Sequence, residues 1–497
     1  MKITKDLPMT EPKRILKKPS LVDALIPVVA LISMLAGTVY VFGLDSFGPN
    51  QVALILAAAI AAMIGIKNGL TWREIEKGMI ETISMSLQAL LILLMVGSLI
   101  GSWILSGTVP TMIYYGVALM SPDYFYLTAC LVCALLGFSI GSSWTVAGTL
   151  GIGLMGISAA LDLSPGISAG AIISGAYFGD KLSPLSETTN LAAAVTSNDL
   201  FDHIQHMLWT TVPAILITLI IFFFMGLGNN STVVINDIVA LQTAMDEVFT
   251  INPIMLAPLV LLLAMAVKKL PALSTLICGT VTGCLFAAIF QWDVVVALAN
   301  DSSLSTVAAG FKGLFSAMFL GYNSVSGNES LDALLSKGGM SSMLTTIGLV
   351  INAMAFGGAM ARTGLLARLV EAALSRVKSA GGLIAATVGS CIGTNILAAD
   401  QYLSIVLPGQ MFIEPYKERK LKSINLSRTL EDSGTLTSAL VPWNTCGAYM
   451  SATLGVSTFY YAPFAFFNIL CPIIAVIYGF MLIAVPSLDE PTNNPAD

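Results

Sequence analysis

Two polar runs interrupt an otherwise apolar chain, and both hold residues that could bind and release a small cation. The first reads Gly179-Asp180-Lys181-Leu182-Ser183-Pro184-Leu185-Ser186-Glu187-Thr188-Thr189-Asn190. It offers two carboxylates, four hydroxyls and an amide. The second begins Glu431-Asp432-Ser433-Gly434-Thr435 and continues through Thr437, Ser438, Pro442, Asn444 and Thr445. Gly179 and Pro184 interrupt one helix, and Gly434 and Pro442 the other, which frees backbone carbonyls as ligands. Such a segment could replace the water around a small hard cation with about five or six oxygens. A carboxylate in apolar surroundings is costly to leave ionised and alone, so it holds either a proton or a cation. The candidate ligands are Asp180, Lys181, Ser183, Ser186, Glu187, Thr188 and Asn190 in the first run, and Asp432, Ser433, Thr435 and Asn444 in the second. Lys181 is the only Lys or Arg between Gly78 and Val267, and its neighbour Asp180 is its expected partner. Glu431 reads equally well as part of the basic loop that ends at Arg428.

A second pair of signatures precedes these runs. Gly137-Phe138-Ser139-Ile140-Gly141-Ser142-Ser143 and Gly389-Ser390-Cys391-Ile392-Gly393-Thr394-Asn395 stand in one register, because 393 − 141 and 432 − 180 both equal 252. The glycine pairs predict close helix packing. The polar residues that follow, Ser142 and Ser143 on one side and Thr394, Asn395 and Asp400 on the other, are further binding candidates. In this register Gly148 aligns with Asp400, so Asp400 reads as an unmatched ligand or proton carrier, or else as a helix end near the outer interface. Asp199, Asp202, His203 and His206 cluster at a predicted cytoplasmic boundary, as a solvated helix start or as an antenna for protons or metal. Two enzyme-like motifs, Gly151 to Gly156 and Gly166 to Gly170, sit in apolar sequence without the strand they need. Cys130 and Cys133 form one face of a helix, and the seven cysteines imply no disulfide framework.

These residues need a scaffold within the bilayer. Of 497 residues 56% are hydrophobic and 10% charged, against about 25% charged in ordinary soluble domains. Such a composition predicts an all-α polytopic membrane protein, whose partner is the lipid bilayer and not nucleic acid. Crossings are expected at 21–43, 50–66, 82–105, 124–141, 144–161, 167–197 and 207–228. A second set follows at 251–267, 271–290, 340–360, 379–396, 398–414, 432–455 and 463–486. Those at 167–197 and 432–455 are discontinuous, and the total is roughly 12–14. An odd number per half inverts the second repeat. Lys67, Arg73 and Lys77 mark 67–77 as cytoplasmic, while the first-half connections 43–50, 106–123 and 162–166 carry no Lys or Arg. Their second-half counterparts are basic: Lys268-Lys269, then Arg362 to Lys378, then Lys417 to Arg428. This opposite bias is what the positive-inside rule requires of an inverted repeat.

The expected organisation is a cytoplasmic tail (1–20), a first repeat (21–228), an external linker (229–250), a second, inverted repeat (251–486) and a tail (487–497), with both termini cytoplasmic. No cleavable signal peptide is expected. Residues 109–120 and 363–377 read as interfacial amphipathic helices, and 291–339 receives no assignment. A second copy of the chain, in a homodimer, is a further expected partner. No credible nucleophile–base pair suggests an enzyme.

The run from Gly179 to Asn190 closely resembles the NhaC-type sodium/proton antiporters of the ion transporter superfamily, and the resemblance covers nearly the whole chain. It implies a prokaryotic cytoplasmic-membrane antiporter that exchanges Na+ for H+ by alternating access. It implies no cofactor, only the transported Na+ and H+, with Na+ at Asp180 and Asp432. The family also contains malate/lactate exchangers, so a small carboxylate such as malate or lactate is an alternative cargo, which Lys181 would suit.

Overall fold

A computed structural model describes residues 17–42, 47–227, 235–375 and 377–488. Residues 1–16 and 489–497 of the expected tails, 43–46 of the first connection, residue 228 of the first repeat, 229–234 of the expected linker, and Arg376 lie outside the described residues. Among those described, nine helices are long and apolar enough to cross a membrane, or up to eleven if each of two bent pairs is one span. Leu87–Leu105, at 19 residues, reaches about 28 Å, the thickness of the hydrocarbon. Leu200–Leu227 turns Leu216, Ile220 and Phe224 outward and buries Thr210, Thr211 and Thr218, an order suited to lipid outside and polar contacts within.

Small residues set the closest packing, since lipid removes most of the hydrophobic drive between helices. The helices Phe125–Ile140 and Pro165–Leu182 touch backbone to backbone. A Cβ added at Gly137 would lie 2.7 Å from the Ala176 carbonyl oxygen, and one at Gly179 would run into Ala134 and Phe138. The second signature behaves differently. A Cβ at Gly389 or Gly393 would meet nothing within 4 Å, so these glycines do not pack helix on helix.

Several boundaries differ from the sequence expectation. The crossing at 82–105 divides at Ser86, where Trp72–Met85 ends and Leu87–Leu105 begins. Thr71 and Glu74 form a capping box that starts the first of these. Thr108–Leu119 buries its first six residues within the protein and is not a surface amphipathic helix. Leu365–Leu374 is amphipathic as expected, with Leu365, Leu366 and Val370 buried. Its Glu371 meets Lys18 at 3.0 Å and Arg368 at 3.3 Å, and these cations hold the carboxyl below its usual range. Part of the expected linker is the helix Ile235–Val248, and 291–339 holds Trp292–Leu298, Thr306–Phe319 and Glu329–Leu335.

The register of 252 also needs correction. Gly141 ends a helix at φ +72°, while Gly393 lies inside Ala380–Leu397. The helix-starting caps align differently: Ser142 with Asp400, and Ser186 with Asn444, each pair 258 positions apart (400 − 142 and 444 − 186). In this pairing Asp400 stands opposite Ser142, another helix-starting cap, rather than opposite Gly148.

Candidate functional site

Both polar runs break their helices. Pro165–Leu182 stops at Ser183, since Pro184 cannot continue the hydrogen-bond ladder, and Glu187–Val195 restarts on Ser186, whose Oγ accepts the Thr189 N–H at 3.4 Å. Asn190 closes the turn by donating to the carbonyls of Pro184 (3.0 Å) and Ser186 (2.7 Å). In the second run Ser423–Leu430 passes through a π turn at Glu431–Thr435 and ends at Ser438, and Thr445–Leu454 restarts on Asn444. Such π turns leave carbonyls without their helical partners. Asn395 takes one of them, donating to Gly434 O at 2.8 Å and to Thr437 Oγ1 at 2.9 Å. Asn444 in turn donates to Asn395 Oδ1 at 3.0 Å.

The breaks border a cavity of about 340 Å³. Its walls include Ser142, Ser143 and Thr145; Asp180, Ser186, Glu187 and Thr188; Asp400, Gln401 and Tyr402; and Thr445 and Tyr449. Asp180 is 7% exposed and its Oδ2 accepts the Ser143 N–H at 3.0 Å. Asp400 is 6% exposed and caps its helix by accepting the Leu403 N–H at 2.9 Å. Ala399, just before it, takes φ +56°, and its carbonyl accepts the Thr445 N–H at 3.0 Å, joining two breaks. Glu187 accepts the Tyr402 hydroxyl at 2.5 Å. Trp144 and Tyr449 stack at 4.1 Å with 11° between planes, and the Tyr449 hydroxyl donates to the Trp144 carbonyl at 2.8 Å. Among the described residues Lys269, in the loop between Ala257–Val267 and Ala272–Phe290, is the one cation on the cavity's lining.

Behind this cavity lies a second polar cluster without exposure. Lys181 forms its ion pair with Asp432, not with Asp180, and both side chains are fully buried. Thr210 Oγ1 donates to Asp432 Oδ1 at 3.0 Å, and Cys471 Sγ lies 3.4 Å from the Lys181 ammonium. Glu431 belongs to this interior rather than to the basic loop: it is 0% exposed and accepts the Thr188 hydroxyl at 3.0 Å. Thr188 thus joins the two clusters.

The structure therefore divides the candidate residues. Ser142, Ser143, Asp180, Ser186, Glu187, Thr188 and Asp400 line the cavity, while Lys181 and Asp432 do not. Ser183 accepts the Leu185 N–H, Thr394 donates to the Ser390 carbonyl, and Ser433 donates to the Thr429 carbonyl, so these hydroxyls serve local backbone. Thr435 is buried in the π turn, and Asn190, Asn395 and Asn444 hold the breaks in shape. Gln401, Tyr402 and Tyr449 join the lining beyond the residues the sequence motifs mark. The first two continue the polar run from Asp400, but Tyr449 sits in an apolar helix and carried no signal.

The chain matches the model of the Na+/H+ antiporter family over residues 175–483. It is 39% identical over 435 residues to the Na+/H+ antiporter NhaC of Alkalihalophilus pseudofirmus, covering 88% of this chain and 91% of that one. It is 35% identical to the Na+/H+ antiporter NhaC of Bacillus subtilis, covering 87% and 92%. It is also 34% identical to the malate-2H+/Na+-lactate antiporter of Bacillus subtilis, covering 87% and 89%. With its broken helices, buried carboxylates and apolar spans, this chain belongs to the Na+/H+ antiporter family.

Proposed function

We propose that this protein exchanges Na+ for H+ across a prokaryotic cytoplasmic membrane by alternating access. The observation that carries the reading is the charge of the cavity. Asp180, Asp400 and Glu187 line it, while Lys181 is committed to Asp432 behind the wall. Among the described residues, three carboxylates against the single Lys269 favour a cation over an organic anion. Asp180 is the proposed ion carrier, because its Oδ2 holds one peptide N–H and the hydroxyls of Ser186 and Thr188 stand on the same wall. Asp432 is a poorer place for Na+, because the Lys181 ammonium repels a second cation there. Occupation of Asp180 by either ion, but not both, gives exchange without a chemical step. The halves 21–228 and 251–486, as inverted repeats with cytoplasmic termini, are the bodies proposed to rock around the site.

A second reading has one observation in its favour. A cavity of about 340 Å³ is far larger than one Na+ needs, given about 30 Å³ per water, and leaves room for a small organic solute. One experiment separates the two. The purified protein is placed in liposomes carrying a pH gradient, and Na+, Li+ or K+ is added with and without malate or lactate. Collapse of the gradient by Na+ alone supports simple exchange. Collapse only when a carboxylate is present supports the second reading, and indifference to Na+ under all conditions overturns both.

A further inference from the structure

His203 and His206 take no part in the cavity, yet they lie on the inner side of the longest helix, Leu200–Leu227, on the way to the buried ion pair. Asp199, His203, His206 and Thr210 follow at intervals of four, three and four, which places them along one face. Asp199 and Asp202 are exposed at its beginning, His206 is half-buried, and His203 and Thr210 are 0% exposed. The beginning of this face sits beside the basic loop, since Ser423 Oγ donates to Asn198 Oδ1 at 2.6 Å. Its far end touches the ion pair through Thr210 and Asp432 Oδ1.

The hydrogen bonds fix how His203 carries its proton. Ser427 Oγ donates to the Ile424 carbonyl at 3.0 Å, so toward His203 it acts as an acceptor. His203 Nδ1, at 2.9 Å from Ser427 Oγ, must then bear the hydrogen, which leaves Nε2 with a free lone pair. That Nε2 is buried without a partner, and so are Arg428 Nε and Nη2 and Asp432 Oδ2, while the His206 ring and the Asn425 side chain face each other within hydrogen-bonding reach. All these atoms lie on two neighbouring elements, the Leu200–Leu227 helix and the second broken helix. Buried polar atoms gathered on neighbouring elements are what ordered water bridges.

We propose that this face is a proton lead: His203 and His206 pass protons between water at the Asp199–Asp202 end and the Lys181–Asp432 pair, by a path apart from the cavity of Asp180 and Asp400. A proton arriving through water binds His203 Nε2 and forms imidazolium. The same proton leaves Nε2 for Asp432 Oδ2 or returns outward, and Nδ1–H stays on Ser427 throughout. No bond to carbon forms or breaks, and no electron moves. Charged and titratable groups on its own helix and on the elements packed against it are Asp199 just before its start, Asp202 and His206 on it, Lys181 on the first broken helix, Arg428, Glu431 and Asp432 on the second, and Cys471 on Phe466–Met481. From Asp432 the proton reaches the shared carboxylate Asp180 from behind, by way of Glu431 and Thr188, so it need not pass a cation entering through the cavity.

The inference rests on the exchange reading and is tested apart from it. Wild-type protein, His203→Asn and His206→Gln are purified whole and reconstituted in liposomes. Asparagine keeps an N–H for Ser427 but cannot take up a proton. Na+-driven proton flux should fall at least about tenfold in His203→Asn and less in His206→Gln, since a positioned proton carrier contributes factors of this order or more. The limb of the flux–pH profile that the histidine carries in wild-type protein should vanish. Calorimetric Na+ affinity should stay within about twofold, because the cavity is untouched. Wild-type flux and pH profile in His203→Asn would overturn the lead. Loss of Na+ binding together with flux would also overturn it, since His203 would then support the cavity itself. Wild-type protein that moves no protons with Na+ would instead defeat the exchange reading, and the lead with it.

Discussion

Lys181 and Asp432, 251 positions apart in the chain, form one ion pair with both side chains fully buried. The pair ties the first broken helix to the second, so the only cation of a long apolar stretch holds two distant segments together. A buried ion pair gains little over a well-packed apolar pair, but breaking one partner leaves an uncompensated charge. Lys181→Ala should therefore cost about 3–5 kcal/mol, and Lys181→Met with Asp432→Leu should recover most of it. Thermal unfolding in detergent reads both. A single variant as stable as wild type would show that the pair contributes nothing to the fold.

Asp432→Asn should stop exchange while Na+ still binds, because Asp432 lies behind the cavity wall and not on it. Calorimetry and liposome flux on the same preparation would test this. Retained Na+-driven proton movement would remove Asp432 from the coupling.

Na+ and H+ should compete at Asp180. Protonation removes the negative charge that holds the cation, so lowering the pH must raise the apparent Na+ KM. Below the carboxyl's own pKa the rise should approach about tenfold per pH unit. Asp180→Asn should lose Na+ binding and its pH dependence together, and Asp400→Asn should weaken binding. Affinity that ignores pH, or survives in Asp180→Asn, would move the competition to Asp400 or Glu187.

Two glycines of similar sequence context should respond in opposite ways. At Gly179 a methyl would strike the backbone of Ala134 and Phe138, so Gly179→Ala should destabilise strongly. At Gly389 the space is open, and Gly389→Ala should be neutral or stabilise by about 0.5–1 kcal/mol through helix propensity. Melting temperatures of the two variants give the comparison.

The proposed orientation can be read with an impermeant thiol reagent in intact cells. A cysteine at Ser231 should label and one at Lys420 should not. Labelling at 420 alone would reverse the topology.

The broken helices were legible because their signals are local: Gly, Pro, Ser and Asn around Asp180 and Asp432 state where a helix must stop and restart. The partners of those acids were not. Lys181 follows Asp180 in sequence, yet successive helical residues point about 100° apart, and the ammonium crosses to Asp432. A fixed register of 252 leaves Asp400 unmatched because it sets the helix end at Gly141 against the helix interior at Gly393, and only the caps reveal its likeness to Ser142. Glu431 next to a basic loop could be read either way until the π turn and Thr188 placed it inside. Tyr449 needed the fold, since nothing in an apolar helix announces which aromatic faces a cavity.

The caps have a consequence for how a carrier lets go of its cargo. Ser142, Ser186, Asp400 and Asn444 each begin a helix at the breaks, so four helix N-termini, each worth about half a positive charge, lie close to Asp180 and Asp400. Their field stabilises the carboxylates when no ion is present and opposes a bound cation. The empty site is thereby less costly to form, and the occupied one less deep. An exchanger built this way trades tightness of binding for ease of release, which every cycle needs because it must end with an ion leaving.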